Sequence, residues 1–376
     1  MYVTICQYKC TPPQTVWGRV SMAFGLEAVT ATHEIATLPG GQTAFPPEAA
    51  RREPADAPDE IVLLAREQLK KGSTSFFKAA RLFPKSQKAS AFLLYAWCRH
   101  CDDEIDGQIL GAAPDMTRPP CQRSLEARER TLATLREKTV AALAGQADEP
   151  VFVGLQRVVA SHQIPHRYPL DLIEGMAMDV RGRSYACLED TLSYSYYVAG
   201  VVGVMMATIM GVRDRATLER ASDLGIAFQL TNIVRDVVAD AALGRFYLPQ
   251  NWLDEVGILP CEIGERRHRE KVFRISARLL DVADDYYRSA LIGIGRLPFR
   301  SAWAIASARR IYRGIGQAAR ASGAAAWDRR ARAGTITQAS GIALGAVEAA
   351  VLVSLRGRSE RKPRLGLWTP SHLWTS

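Results

Sequence analysis

Between Ile61 and about Leu355, apolar side chains return every three to four residues, in runs long enough for helices of several turns. Short breakers interrupt the runs: KGSTS, GAAPDMTRPP, HQIPHRYP, GVRDR, YLPQNW and RLPFR. No apolar–polar alternation persists long enough to build a sheet. The pattern therefore predicts an all-α domain over residues 59–340, a single large helical bundle. Residues 1–58 show no sustained period, and LPGGQTAFPPEAARREPADAPDE, residues 38–60, has the composition of a linker, so a poorly ordered N-terminal extension is expected over 1–58. Met22 offers an alternative start. Residues 341–376 are expected to hold a short apolar helix and a basic tail. The apolar part, SGIALGAVEAAVLVSL, is short for a membrane span and is broken by Glu348, which favours a packed or interfacial helix.

Two of the predicted helices carry polar stripes at odds with their apolar surroundings. In ASAFLLYAWCRHCDDEID, residues Tyr95, Arg99, Asp102 and Asp106 fall at i, i+4, i+7 and i+11, one narrow stripe at 100° per residue. In QLTNIVRDVVAD, residues Gln229, Asn232, Asp236 and Asp240 fall at i, i+3, i+7 and i+11, again one stripe. Each stripe ends in two aspartates four residues apart, and each helix is expected to stop soon after, at Gly107 and near Gly244.

Acids in a last helical turn oppose the macrodipole, at roughly 0.3–1 kcal/mol each. Carboxylates four residues apart also repel. One such pair reads as a solvated helix end. Two pairs, each aligned with polar residues on an apolar helix, point instead to a cavity held together by cations. Carboxylate-only clusters suit hard, oxygen-seeking ions, and Mg²⁺ takes one or two carboxylates together with substrate phosphates. Arg99 and Arg235 would pair with the acids or neutralise phosphate oxygens. Ser73 and Ser75, in KGSTSFFKAARLFP, stand at a predicted helix N-terminus, a place that caps the helix and also favours an anion. The stretch YSYYVAGVVGVMMATIMG supplies Tyr194, Tyr197 and the small residues Ala199, Gly200 and Gly203, fit for close helix packing or for a hydrocarbon lying along the helix.

The 376 residues, 48% hydrophobic, suffice for a large core. Residues 301–376 hold 12 basic and 3 acidic residues, a +9 equal to that of the whole chain. Such a block is solvated by default, or attracts an anionic membrane surface. Nucleic acid is not expected, since neither interleaved aromatic residues nor a recognised motif accompanies the charge. Seven cysteines in a chain of this length indicate a reducing compartment, and the Cys98–Cys101 pair has no second pair at zinc spacing. A cytoplasmic protein is expected. No P-loop and no GxGxxG after a strand occurs, so no nicotinamide cofactor is expected.

The blocks GSTSF, YAWCRHCDDEID, DLIEGMAMD, YSYYVAGVVG, QLTNIVRDVVADAALGRFYLP and ARRIYRGIG resemble, in order, those of the squalene/phytoene synthase family, the head-to-head trans-isoprenyl diphosphate synthases. The resemblance runs from about residue 65 to 320, with a weaker tail at GLWTPSH, and its wording is nearest the bacterial phytoene synthases. It implies the isoprenoid synthase fold, a helical bundle around a central cavity. It implies that Asp102, Asp106, Asp236 and Asp240 hold Mg²⁺, with Mn²⁺ as the alternative, on diphosphate. Ser73, Ser75, Tyr95, Arg99, Gln229, Asn232 and Arg235 would contact diphosphate or order the cavity floor. Tyr197, or a neighbour in its aromatic group, would handle the leaving group or the proton, with Tyr247 and Tyr312 near the diphosphate. One departure is Ala239, where many relatives carry an acid; it makes the second cluster less negative.

The implied reaction joins two geranylgeranyl diphosphates, through prephytoene diphosphate, into phytoene, an early step of carotenoid biosynthesis. The alternatives are a squalene or dehydrosqualene synthase acting on farnesyl diphosphate, and a non-catalytic relative acting as an assembly factor. The implied partners are geranylgeranyl diphosphate and downstream carotenoid enzymes; the charge of the basic C-terminal region adds a peripheral contact with the inner membrane face.

Overall fold

The computed structural model describes residues 59–72, 74–107, 124–328, 335–356, 364 and 366–370. The predicted extension, residues 1–58, lies outside the described residues, as does Ser73. The described residues belong to one compact unit, and every regular element among them is a helix. In chain order the helices are α1 (Glu60–Gly72), α2 (Thr74–Ala80), α3 (Lys85–Asp106), α4 (Leu125–Leu143), α5 (Pro150–His162), α6 (Arg167–Val180) and α7 (Leu188–Ser195). A single π-turn (Tyr196–Gly200) joins α7 to α8 (Val201–Ile209). There follow α9 (Arg215–Ala242), α10 (Gln250–Glu255), α11 (Arg269–Arg296), α12 (Phe299–Ser322) and α13 (Thr335–Ser354).

The ends of the two stripe-bearing helices follow their sequence signals. α3 is capped by Gly107 in the left-handed region, φ 64°, whose N–H donates to the Asp103 carbonyl. At its start, α9 is capped by Asp214, whose carboxylate accepts from the Thr217 N–H at 2.9 Å, and it ends just before Gly244, φ 74°.

Apart from its polar stripe, α9 is buried on most sides, enclosing Leu224, Ile226, Ala227, Leu230, Ile233, Val234 and Val237. It is the central rod. Its largest contact is with α11, and it also meets α8, the π-turn and α12. The approach to the π-turn is backbone to backbone. A Cβ added at Gly225 would stand 2.2 Å from the Ala199 carbonyl oxygen, and one at Gly203 2.3 Å from that of Ala221. The small residues of YSYYVAGVVG thus serve close packing, while Ala199 and Gly203 also line the cavity described below.

The apolar C-terminal helix begins earlier than expected, at Thr335, and packs on α11 and α12 as part of the same bundle. Gly341, Gly345 and Ala349 form its inward stripe. Its one charged residue, Glu348, turns inward to meet Arg309 at 3.0 Å and Arg310 at 2.8 Å.

Candidate active site

A cavity of about 430 Å³ runs through the bundle. On α9 its lining extends from Thr217 to Asn232, roughly 22 Å at the rise of an α-helix. Over most of that length the wall is apolar: Leu94, Leu172, Met176, Val202, Met206, Leu224 and Phe228. Thr217 and Arg220 line the end near the start of α9, and most of the other polar groups gather toward the C-terminal ends of α3 and α9. Tyr95, Arg99 and Asp102 enter from α3, Gln229 and Asn232 from α9, and Tyr312 from α12, stacked on Phe228 with ring centroids 4.3 Å apart.

The acids continue beyond this wall. Asp106 and Asp179 line a smaller adjoining space of about 250 Å³, together with Arg245 and Tyr247; Asp179 borders both cavities. Asp102 is open to the cavity, with 52% of its side-chain surface accessible, yet protein surrounds it. Burial, and next the repulsion of Asp106, push its carboxyl up to about 7 despite the opposing pull of Arg99. Asp240 stands in the same situation. Burial and then Asp236 raise it to about 7, against Arg245. Arginines meet part of this charge: Arg99 lies 3.1 Å from Asp102 and 3.0 Å from Asp103, Arg235 3.1 Å from Asp236, and Arg245 pairs with Asp106.

The geometry suits hard divalent cations. The donors are carboxylate oxygens, and the Asn232 side-chain oxygen is buried in the same site without a hydrogen-bond partner, an acceptor that needs a donor or a metal. The aspartates do not converge on one point, however. Among the described residues the only three side chains whose donor atoms gather within 4.8 Å are Glu262, Glu265 and His268, on the surface. Each DxxxD pair would therefore hold its own ion or ions, completed by oxygens from a bound diphosphate.

Two side chains, Asp179 and Arg245, escaped the sequence reading, and a third, named there without a role of its own, proves to line the cavity. Asp179, at the C-terminal end of α6, accepts from the hydroxyls of Tyr194 at 2.9 Å and Tyr247 at 2.8 Å, and the two rings stack 4.8 Å apart. Its charge is felt by Asp102 and by Asp240, so it lies between the two motifs. Burial raises its carboxyl, opposed by Arg245. Arg245 follows Gly244, where helical periodicity no longer says which way a residue points. The third is Tyr194, which lines the cavity, whereas Tyr197 is not among its lining residues and packs against Gly175 of α6. The π-turn that begins at Tyr196 places the two rings differently; the choice of Tyr197, or a neighbour in its aromatic group, came from the family resemblance. The Ser75 side chain lies outside the described residues. Ala239 is exposed, beside the Asp236–Asp240 stripe rather than on it.

Neither thiol of the CxxC is poised for chemistry. Burial pushes Cys98 up to about 12 and Cys101 also well up, and both are packed.

The sequence profile of squalene/phytoene synthases matches residues 69–337. The chain belongs to the squalene/phytoene synthase family. Among its relatives in this family, the 15-cis-phytoene synthase of Pantoea ananas is 46% identical over 311 residues, covering 82% of this chain and 96% of the relative. That of Paracoccus sp. (strain N81106 / MBIC 01143) is 45% identical over 314 residues, covering 83% and 99%. The fold matches that of a dehydrosqualene synthase solved with ligand, with a TM-score of 0.68, 24% identity and coverage of 78% of this chain and 97% of the other. A squalene synthase from Alicyclobacillus acidocaldarius gives 0.60 at 27% identity, covering 70% and 94%.

Proposed function

We propose that this enzyme is a phytoene synthase, a prenyltransferase that joins two geranylgeranyl diphosphates head to head. One observation carries the reading: an apolar cavity running along α9 toward two DxxxD motifs at the same end. The relatives named 15-cis-phytoene synthase support the chain length.

Two C20 tails lie in the bore between α3, α8 and α9, with both diphosphates at the aspartate end. Asp102 and Asp106 on one side, and Asp236, Asp240 and the Asn232 oxygen on the other, would hold Mg²⁺. Bound there, the ions supply Lewis-acid stabilisation of the departing diphosphate. Arg99, Arg235 and Arg245 stand within the same charge cluster and can donate to phosphate oxygens, lowering the cost of separating diphosphate from carbon. The C1–O bond of the first substrate breaks, and the double bond of the second attacks C1. Loss of a proton closes the cyclopropane of prephytoene diphosphate. A second C–O cleavage, rearrangement and proton loss give phytoene. Overall, two diphosphates and two protons leave, and no reductant is needed. The apolar wall excludes water from the cations. The Tyr194 hydroxyl, held by Asp179 on the cavity wall, orients the diphosphate or passes on the proton released beside it.

Incubating the purified protein with Mg²⁺ and either geranylgeranyl or farnesyl diphosphate, then identifying the hydrocarbon, tests the reading. The C40 hydrocarbon phytoene is expected. A C30 product made only from farnesyl diphosphate would reject the chain length, and no hydrocarbon from either would reject the activity.

A further inference from the structure

One charged side chain of the cavity wall stands apart from the aspartate end. Among the described residues, the charged ones that line the bore are Arg99, Asp102, Asp179 and Arg220. The first three belong to the aspartate end. Arg220 lies back along α9, about 18 Å from Asn232 at the rise of an α-helix. Around it the wall is made by Thr217 of α9 and by Ala290, Gly293 and Ile294 of α11. The two helices are close there, since a Cβ added at Gly293 would stand 2.9 Å from the Arg220 Cβ.

A guanidinium is a poor neighbour for hydrocarbon. It keeps its proton at any working pH, and an apolar chain pressed against it displaces water without offering an acceptor. Nor can Arg220 swing out into solvent. It is only 7% exposed, and its Nη1 donates to the Ser289 hydroxyl at 2.9 Å and to the Ser289 carbonyl at 3.3 Å. The Ser289 hydroxyl donates in turn to Asp223, whose carboxylate oxygens accept from Arg364 at 3.0 and 2.8 Å. Thr217 is tied down as well, its N–H donating to Asp214 at 2.9 Å and its hydroxyl accepting from Arg296 at 3.3 Å. This end of the bore is therefore a fixed polar wall, anchored through buried partners on α9 and α11.

We infer that Arg220 sets the longest prenyl chain that the bore admits. The stretch of α9 between Asn232 and Arg220 is comparable in length with an extended C20 chain. A C15 chain leaves the apolar wall before Arg220 unfilled and gives up that contact. A C25 chain has to press its last isoprene unit against the guanidinium or fold back on itself. Arg220 is thus a specificity-determining residue, remote from the chemistry at the diphosphates. The inference rests on the reading of the protein as a prenyltransferase whose substrate tails lie in this bore.

The test is calorimetric titration of the full chain, in Mg²⁺, with the unreactive thiolodiphosphates of C15, C20 and C25 prenyl chains. Wild-type protein should bind the C20 compound most tightly and the C25 compound about tenfold or more less tightly. Arg220→Gln removes the charge yet keeps a donor for Ser289, and it should bring C25 close to the affinity of C20. Arg220→Lys keeps the charge and should keep the wild-type preference. Ala290→Leu is an independent probe that adds bulk at the same end. It should weaken C20 by about tenfold and leave C15 unchanged. Circular dichroism establishes that the variants are folded. Wild type binding C25 as well as C20 would overturn the inference, as would equal C25 binding by the Gln and Lys variants. So would an equal loss of C15 and C20 in Ala290→Leu, which would put the end of the bore elsewhere. If wild type prefers C20 and Arg220→Gln leaves that preference intact, the role of Arg220 falls and the prenyltransferase reading stands. If wild type binds none of the three, both fall.

Discussion

Asp179 carries the clearest lesson at the residue scale. The four motif aspartates are legible in sequence because a single helix puts each pair on one stripe. Asp179 comes from α6, and only the tertiary fold sets it between them under two tyrosine hydroxyls. Tyr194 and Tyr197 differ in placement because a π-turn begins between them, at Tyr196, and the family resemblance that pointed to Tyr197 or a neighbour in its aromatic group could not show this. Two predictions follow at this scale. Asp102→Ala or Asp236→Ala should lower hydrocarbon formation by about 10²–10³ or more, with the helical circular dichroism unchanged and Mn²⁺ binding weakened in direct titration. Retained turnover in both variants would remove the metal assignment. Tyr194→Phe should cost more turnover than Tyr197→Phe, because only the first deletes a hydroxyl from the cavity wall and an acceptor's partner at Asp179. Equal kcat values for the two variants would return the role to the aromatic group as a whole.

At the scale of elements, sequence served best where periodicity is local. The ends of α3 and α9, the helical class and the apolar helix near the C-terminus were all legible from spacing and glycine placement. The start of α13 was not, because the register is set by what α12 accepts: Gly345 lets the backbone approach Ser307, where a Cβ would lie 2.9 Å from the serine Cα. The crossing of α9 with the π-turn was likewise invisible, since YSYYVAGVVG admits either tight packing or a hydrocarbon groove. In the fold it does both. Gly225→Ala should therefore destabilise the protein by about 1–3 kcal/mol, the cost of overpacking a tight core. The colliding atom is a carbonyl oxygen of the backbone, which cannot swing away. Gly264→Ala is the control. Its Cβ meets nothing within 4 Å, its φ is not positive, and a change within about ±0.5 kcal/mol is expected. Urea denaturation checks both, and equal midpoints would mean that the helices separate more freely than their contact implies.

For the whole molecule, the charge excess of residues 301–376 was visible from the start, but not where its members go. Some hold the bundle together. Arg364 reaches back to α9, where Asp223 is fully buried, and donates to its two carboxylate oxygens at 3.0 and 2.8 Å. Arg364 also donates to the Trp368 carbonyl at 2.7 Å, and the Trp368 N–H meets the Tyr286 hydroxyl at 3.1 Å, so the C-terminal segment is fastened to α9 and α11 together. Ser289 donates to the same carboxylate, and Arg220 holds Ser289 at 2.9 Å. Burial raises the Asp223 carboxyl, and Arg364 is its chief opponent. Arg364→Ala should thus leave a buried, poorly compensated carboxylate, at about 3–5 kcal/mol near neutral pH. The sign of its pH dependence follows. An aspartate whose pKa is higher folded than unfolded takes up protons more readily in the folded state, so its contribution to stability falls as pH rises from the unfolded value, near 4, through the folded one. Removing Arg364 raises the folded value further and extends that fall to higher pH. The deficit of the variant should be largest near neutrality and shrink on acidification, read as urea midpoints for both proteins across the same pH series. A deficit that does not change with pH would mean that the tail acts through packing by Leu367 and Trp368, not through the buried pair.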